Sequence, residues 1–67
     1  VFAERLRREI AGRNITQQDL ATALGRTQTA VSYWCAGKRQ PGFDDLCELA
    51  DYFGTTTDYF LGRVAHA

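Results

Sequence analysis

The chain has 67 residues, which excludes a second core, because domains below about 70 residues bury barely enough surface to stand alone. Apolar residues make up 45% and charged residues 24%, the balance of a folded soluble domain and not of a disordered tail. The formal net charge is zero, which excludes a uniformly basic or acidic molecule.

The first predicted element is a helix from about Phe2 to Gly12. Phe2, Leu6 and Ile10 form one apolar stripe, and Arg5, Arg7, Arg8 and Glu9 lie off it. The second runs from about Gln17 to Leu24, with Leu20, Ala21 and Leu24 facing inward. Thr16 and Asp19 form a capping-box-like pair at its start, and Gly25 suits its end. The third runs from about Gln28 to Ala36, between Thr27 as N-cap and Gly37 as terminator. The fourth runs from about Phe43 to Phe53, where Leu46, Leu49, Ala50 and Phe53 follow the helical period. Asp44 and Asp45 complement the dipole at its start. A short fifth helix begins after the Thr55–Thr57 cluster and carries Tyr59, Phe60 and Leu61 inward. No segment shows sustained strand alternation, so the expected fold is all-α: a compact five-helix bundle forming a single domain over residues 1–67.

Only Gly25, Arg26 and Thr27 separate the second and third helices. So short a link forces a sharp crossing, the geometry of a helix-turn-helix, here at about residues 17–36. Ala21 is small where the helices approach, Gly25 supplies the turn, and Val31 faces the second helix. At about 100° per residue, Ala30, Val31, Trp34 and Cys35 share one sector of the third helix, which assigns Trp34 to the core. Thr29, Ser32, Tyr33 and Ala36 share the other, with Gln28 on the border in the first turn. This outer face carries no charge. Amides and hydroxyls there suit base edges on a groove floor, where a carboxylate is repelled.

The chain resembles the helix-turn-helix domains of the phage lambda repressor and Cro class, the xenobiotic-response-element type. The resemblance rests on Thr16-Gln17, Leu20-Ala21, Leu24-Gly25, Val31-Ser32, Trp34, Gly37-Lys38-Arg39, Pro41, Leu46, Leu49-Ala50, Phe53-Gly54 and Leu61, in order and at spacing over nearly the whole chain. It implies a five-helix bundle that binds operator DNA, usually as a homodimer, and regulates transcription. The chain departs from the family pattern in two respects. Ile10 and Cys35 stand where many members pair an Arg with a Glu, so both partners are apolar together and no orphan charge is buried. Arg26 stands in the turn, where relatives often carry an apolar residue.

Gln28 is the first candidate for base reading, because an amide pairs bidentately with adenine in the major groove; the alternative is a solvated first-turn residue. Thr29, Ser32 and Tyr33 share its side. Tyr33 can equally cover a core edge or bond a phosphate. Gln17 opens the second helix, whose N-terminal end suits a phosphate, although Thr16 caps it in any case. Lys38 and Arg39 follow the third helix as backbone contacts. Arg26, Thr27 and Arg13 complete the phosphate-binding candidates, with plain solvation as the competing reading for the charges.

The charge distribution bears on the same question. Through Arg39, Arg5, Arg7, Arg8, Arg13, Arg26, Lys38 and Arg39 stand against Glu4, Glu9 and Asp19. Beyond it, Arg63 alone stands against Asp44, Asp45, Glu48, Asp51 and Asp58. The asymmetry fits a polyanion on one side, or a solubility pattern without a partner. Cys35 and Cys47 make no disulfide framework and read as free thiols in a reducing compartment, a single bridge between them being the alternative. The lone histidine, His66, provides no metal constellation. There is no apolar run of the roughly 20 residues that span a bilayer and no basic-then-apolar leader. Val at position 1 and the absence of Met point to a chain processed or cut from something longer.

The expected function is a sequence-specific DNA-binding transcriptional regulator: a phage- or prophage-type repressor or its N-terminal DNA-binding domain. It would bind a dyad-symmetric double-stranded operator as a homodimer in the cytoplasm, on the nucleoid of a bacterium or of a phage's host. No cofactor, membrane or small-molecule site is expected, and no catalysis. Some of Phe43, Tyr52, Tyr59 and Phe60, with the C-terminal segment, are candidates for the dimer surface, unless they simply fill the core. The competing function is an adaptor, antitoxin-like or coactivator-like, that keeps the fold and binds protein.

Overall fold

The computed structural model describes residues 1–64. It contains five helices: α1 (Phe2–Gly12), α2 (Gln17–Leu24), α3 (Gln28–Ala36), α4 (Phe43–Phe53) and α5 (Thr57–Leu61). The all-α expectation holds, and His66 lies outside the described residues. No helix among them is long and apolar enough to cross a membrane.

The start signals act locally. Thr16 accepts a hydrogen bond from the Asp19 N–H at 3.0 Å, and the Asp19 carboxylate accepts one from the Thr16 N–H at 2.9 Å, a complete capping box. Thr27 caps α3 by accepting from the Ala30 N–H at 3.1 Å, and Thr56 caps α5 by accepting from the Tyr59 N–H at 3.2 Å. The stop of α1 falls at Gly12, as expected. The left-handed residue is Asn14, at φ 57°, and Gly12 lies inside the helix. Asn tolerates that region better than other residues with a Cβ. The turn lets the Ile15 N–H reach back to the Ile10 carbonyl at 3.3 Å. That six-to-one bond recurs at the end of each later helix, and it satisfies a carbonyl the helix leaves open.

α1 packs on α3 and α5, α2 packs on α3, and α4 packs on α5. Leu6, Leu20, Val31, Leu49 and Phe60 are fully buried where these faces meet. Truncating one such leucine to Ala typically costs about 2–5 kcal/mol. Ile10 and Cys35 both lie in this core, so neither position buries a charge. Trp34 is buried as expected. Leu61 is not: it is 48% exposed, because five residues of helix turn only Tyr59 and Phe60 onto the core. Those two aromatic residues are therefore removed from the dimer-surface candidates. Both cysteines are free thiols. Burial pushes the Cys35 thiol up from its ordinary range, against a smaller opposing effect of Arg7.

None of the five helices carries a basic residue in its own last turn. Three arginines on and just after α1 supply cations from outside. Arg5 donates to the Tyr59 carbonyl at 2.6 Å and to the Val64 carbonyl, with its guanidinium 4.7 Å above the Tyr59 ring. Arg7 donates to the Cys35 carbonyl at the end of α3. Arg13 donates to the Phe53 carbonyl at the end of α4 and lies 5.2 Å over that ring. A cation there meets the negative end of a helix dipole and an open carbonyl together.

Candidate nucleic-acid interface

Gly25 is the pivot of the site. Its φ of 69° is left-handed, and it turns the chain so that the Arg26 N–H closes α2 on the Ala21 carbonyl at 2.9 Å. Two residues later α3 has begun. Ala21 is completely buried, which lets the two helices approach closely, and Val31 fills the angle between them. α3 is thereby anchored on its Val31, Trp34 and Cys35 side, with its first turn projecting.

Gln28 and Thr29 are exposed in that first turn. Tyr33 follows on the same helix at 40% exposure, with the Arg39 guanidinium 5.6 Å over its ring. The aromatic face thus limits where the Arg39 cation can lie. Ser32 is half-buried, and its hydroxyl donates to the Gln17 Oε1 at 2.7 Å. This bond joins the first residue of α2 to the middle of α3. It turns the Gln17 carbonyl oxygen inward and leaves the amide N–H₂ facing away from Ser32. Lys38 and Arg39 are exposed just beyond α3, and neither has an ion-pair partner among the described residues.

Three of the expected phosphate contacts are engaged elsewhere. The Thr27 hydroxyl caps α3. Arg13 is bonded to the end of α4. Arg26 pairs with α4: its Nε lies 2.6 Å from the Asp45 Oδ1, and its guanidinium lies 3.3 Å from the Glu48 carboxylate. The Asp45 hydrogen bond, then the Asp45 charge, push the Arg26 cation further above its ordinary range, with smaller contributions from Glu48 and Asp44 against a small desolvation effect. Of the basic first part, Arg5, Arg7, Arg13 and Arg26 all have intramolecular partners. The charge asymmetry therefore overstates the cations available to a polyanion. The sequence did not show these bonds, because a main-chain acceptor has no residue type; the one visible signal was that every helix lacks a cation at its own C-terminal end.

A neutral, projecting first turn on the second of two crossed helices is the arrangement that enters a major groove. The helix-turn-helix family matches this chain over residues 5–60. The chain belongs to that family, the lambda repressor-like class of DNA-binding transcriptional regulators. It is 37% identical over 60 residues to the HTH-type transcriptional activator BcrR of Enterococcus faecalis, covering 90% of this chain and 29% of that protein. It is 31% identical over 61 residues to an SPbeta prophage-derived HTH-type transcriptional regulator, YonR, of Bacillus subtilis, covering 91% of this chain and 56% of that protein. A second Bacillus subtilis HTH-type regulator, YqaE, is 30% identical over 61 residues, with 91% of this chain and 53% of that protein covered. The chain thus spans between about a third and just over half of the length of these helix-turn-helix relatives. No solved structure matches it at a significant level.

Proposed function

We propose that this helix-turn-helix domain reads a dyad-symmetric operator through the major groove, as a homodimer, and regulates transcription by occupying it. The observation that carries the reading is the exposed, uncharged first turn of α3, held off the body by the capped and glycine-hinged α2–α3 junction. Gln28 and Thr29 are the base readers, with Tyr33 beside them. Gln17, Lys38 and Arg39 contact the phosphates, and Ser32 orients Gln17. A domain with so few contacts gains affinity by pairing, with two α3 helices in successive major grooves about 34 Å apart.

The exposed aromatic residues of α4 do not form one dimer patch by themselves. Phe43 and Tyr52 are nine residues apart, which places them about 13 Å apart along the helix and about half a turn out of phase. Tyr52, Leu61 and Val64 remain exposed near the C-terminal end. The prophage-derived relative supports a phage-type regulator, whereas the Enterococcus relative is named an activator. A steric block and a recruiting role share the same operator contact, and we favour the repressor.

Selection of bound duplexes from a random pool tests the reading. The expected product is a site with two inverted halves. Gln28→Ala then loses about 1–3 kcal/mol of discrimination at one base pair of each half, and little elsewhere. Recovery of no preferred site, together with salt-insensitive binding to a protein, would establish the adaptor reading instead. The small number of unpaired cations is the observation in its favour.

A further inference from the structure

Arg26 stands in the turn two residues before Gln28, so its Cα lies within about 7 Å of the reading residue's. That is inside the screening distance of about 10 Å at 0.1 M salt. A free cation there would attract any phosphate backbone, whatever its sequence. The structure does not leave it free. Asp45 and Glu48 reach Arg26 from successive turns of α4, at 2.5 Å and 3.3 Å. Neither carboxylate makes a side-chain capping bond to α4, although Asp45 shares its first turn with Asp44. The trio is exposed to solvent, at 40%, 21% and 48% of the side chains of Arg26, Asp45 and Glu48, so stability is a weak reason for it.

We propose that Asp45 and Glu48 set the strength and salt dependence of DNA binding by holding Arg26 off the phosphate backbone. They lie outside the reading helix and touch no base. Their effect is to lower the affinity for every duplex by a similar factor; the ratio between operator and other duplexes stays with Gln28 and Thr29, since specificity is a difference between affinities. The inference rests on the DNA-binding reading above.

The test is the D45N/E48Q double variant, with binding to the selected operator and to a scrambled duplex measured over a range of salt. One released phosphate contact steepens the log–log salt slope by about 0.9. It also raises affinity for the scrambled duplex roughly fivefold to tenfold at about 0.1 M salt. The operator gains by a similar factor, so the ratio between the two stays near that of the wild type. Adding R26M to the double variant removes the gain. E4Q/D51N makes the same change in net charge away from Arg26 and leaves the slope near that of the wild type. A merely structural role would move the melting temperature and leave the slope alone. Should the double variant melt below the assay temperature, E48Q alone shows a smaller change of the same sign.

An unchanged slope in D45N/E48Q overturns the proposal, as does an equal steepening in E4Q/D51N. A wild-type chain that binds no duplex overturns the DNA-binding reading and this inference with it, which separates the two failures.

Discussion

Ser32 bonds Gln17 instead of standing free on the outer face of α3, and Ser32→Ala tests the orienting role proposed for it. The hydroxyl donates to Gln17 Oε1 at 2.7 Å in a half-buried position. Its loss costs about 0.5–1.5 kcal/mol of folding stability, the net worth of one such hydrogen bond, because water reaches the freed Gln17 oxygen. The larger consequence is on binding. Gln17 then has to be immobilised by the phosphate itself, at about 0.5–1.5 kcal/mol for one long side chain. That corresponds to a loss of affinity of roughly twofold to tenfold per half-site. The loss is uniform, because a phosphate contact carries no base information. Fluorescence anisotropy against the operator and its single-base variants measures both quantities. A uniform loss with an unchanged ranking of variants supports an orienting role. Discrimination that collapses at one base pair, with the others intact, would refute the reasoning and return Ser32 to base reading.

Arg5→Met removes two carbonyl contacts and the stacking on Tyr59 while keeping an unbranched stem. With the partly exposed setting discounted, about 1–2 kcal/mol is expected to be lost. For a domain of this size that lowers the melting temperature by roughly 4–16 °C, read by circular dichroism, and a shift below about 2 °C would count against the capping account. The cysteines should separate in reactivity. Cys47, half-buried, is expected to react with a soluble maleimide in the native protein well before Cys35, which is buried with its thiol pushed up. Because that raised value favours the neutral thiol in the folded state, the Cys35 contribution to stability is full below the unfolded-state value. It declines as pH rises into the alkaline range. Equal labelling rates at neutral pH would show that α3 opens faster than the core packing allows.

The helices were legible because their signals are short-range. The Thr16–Asp19 pair, Thr27 and the glycines after α2, α3 and α4 each act within a few residues, so the periodicity and its punctuation agree. The end of α1 at Gly12 was legible too, although the left-handed residue that closes the turn after it is Asn14. Leu61 was misassigned because one turn of helix is too short to define a face. The projecting turn of α3 was legible from its composition: three apolar anchors opposite an uncharged edge. The fate of the hydroxyls and cations was not. Ser32 meets Gln17, Arg26 meets Asp45 and Arg13 meets Phe53 across long stretches of chain, and such meetings depend on helix packing that no local pattern encodes.

The clasp of Arg7 on α3 has a consequence for how such domains diversify. Its acceptor is a peptide oxygen, which every amino acid owns. Substitutions along the outward edge of α3 therefore leave that fastening in place. On the proposed reading, new operator preferences arise there by single changes, without renegotiating the attachment that keeps the helix presented.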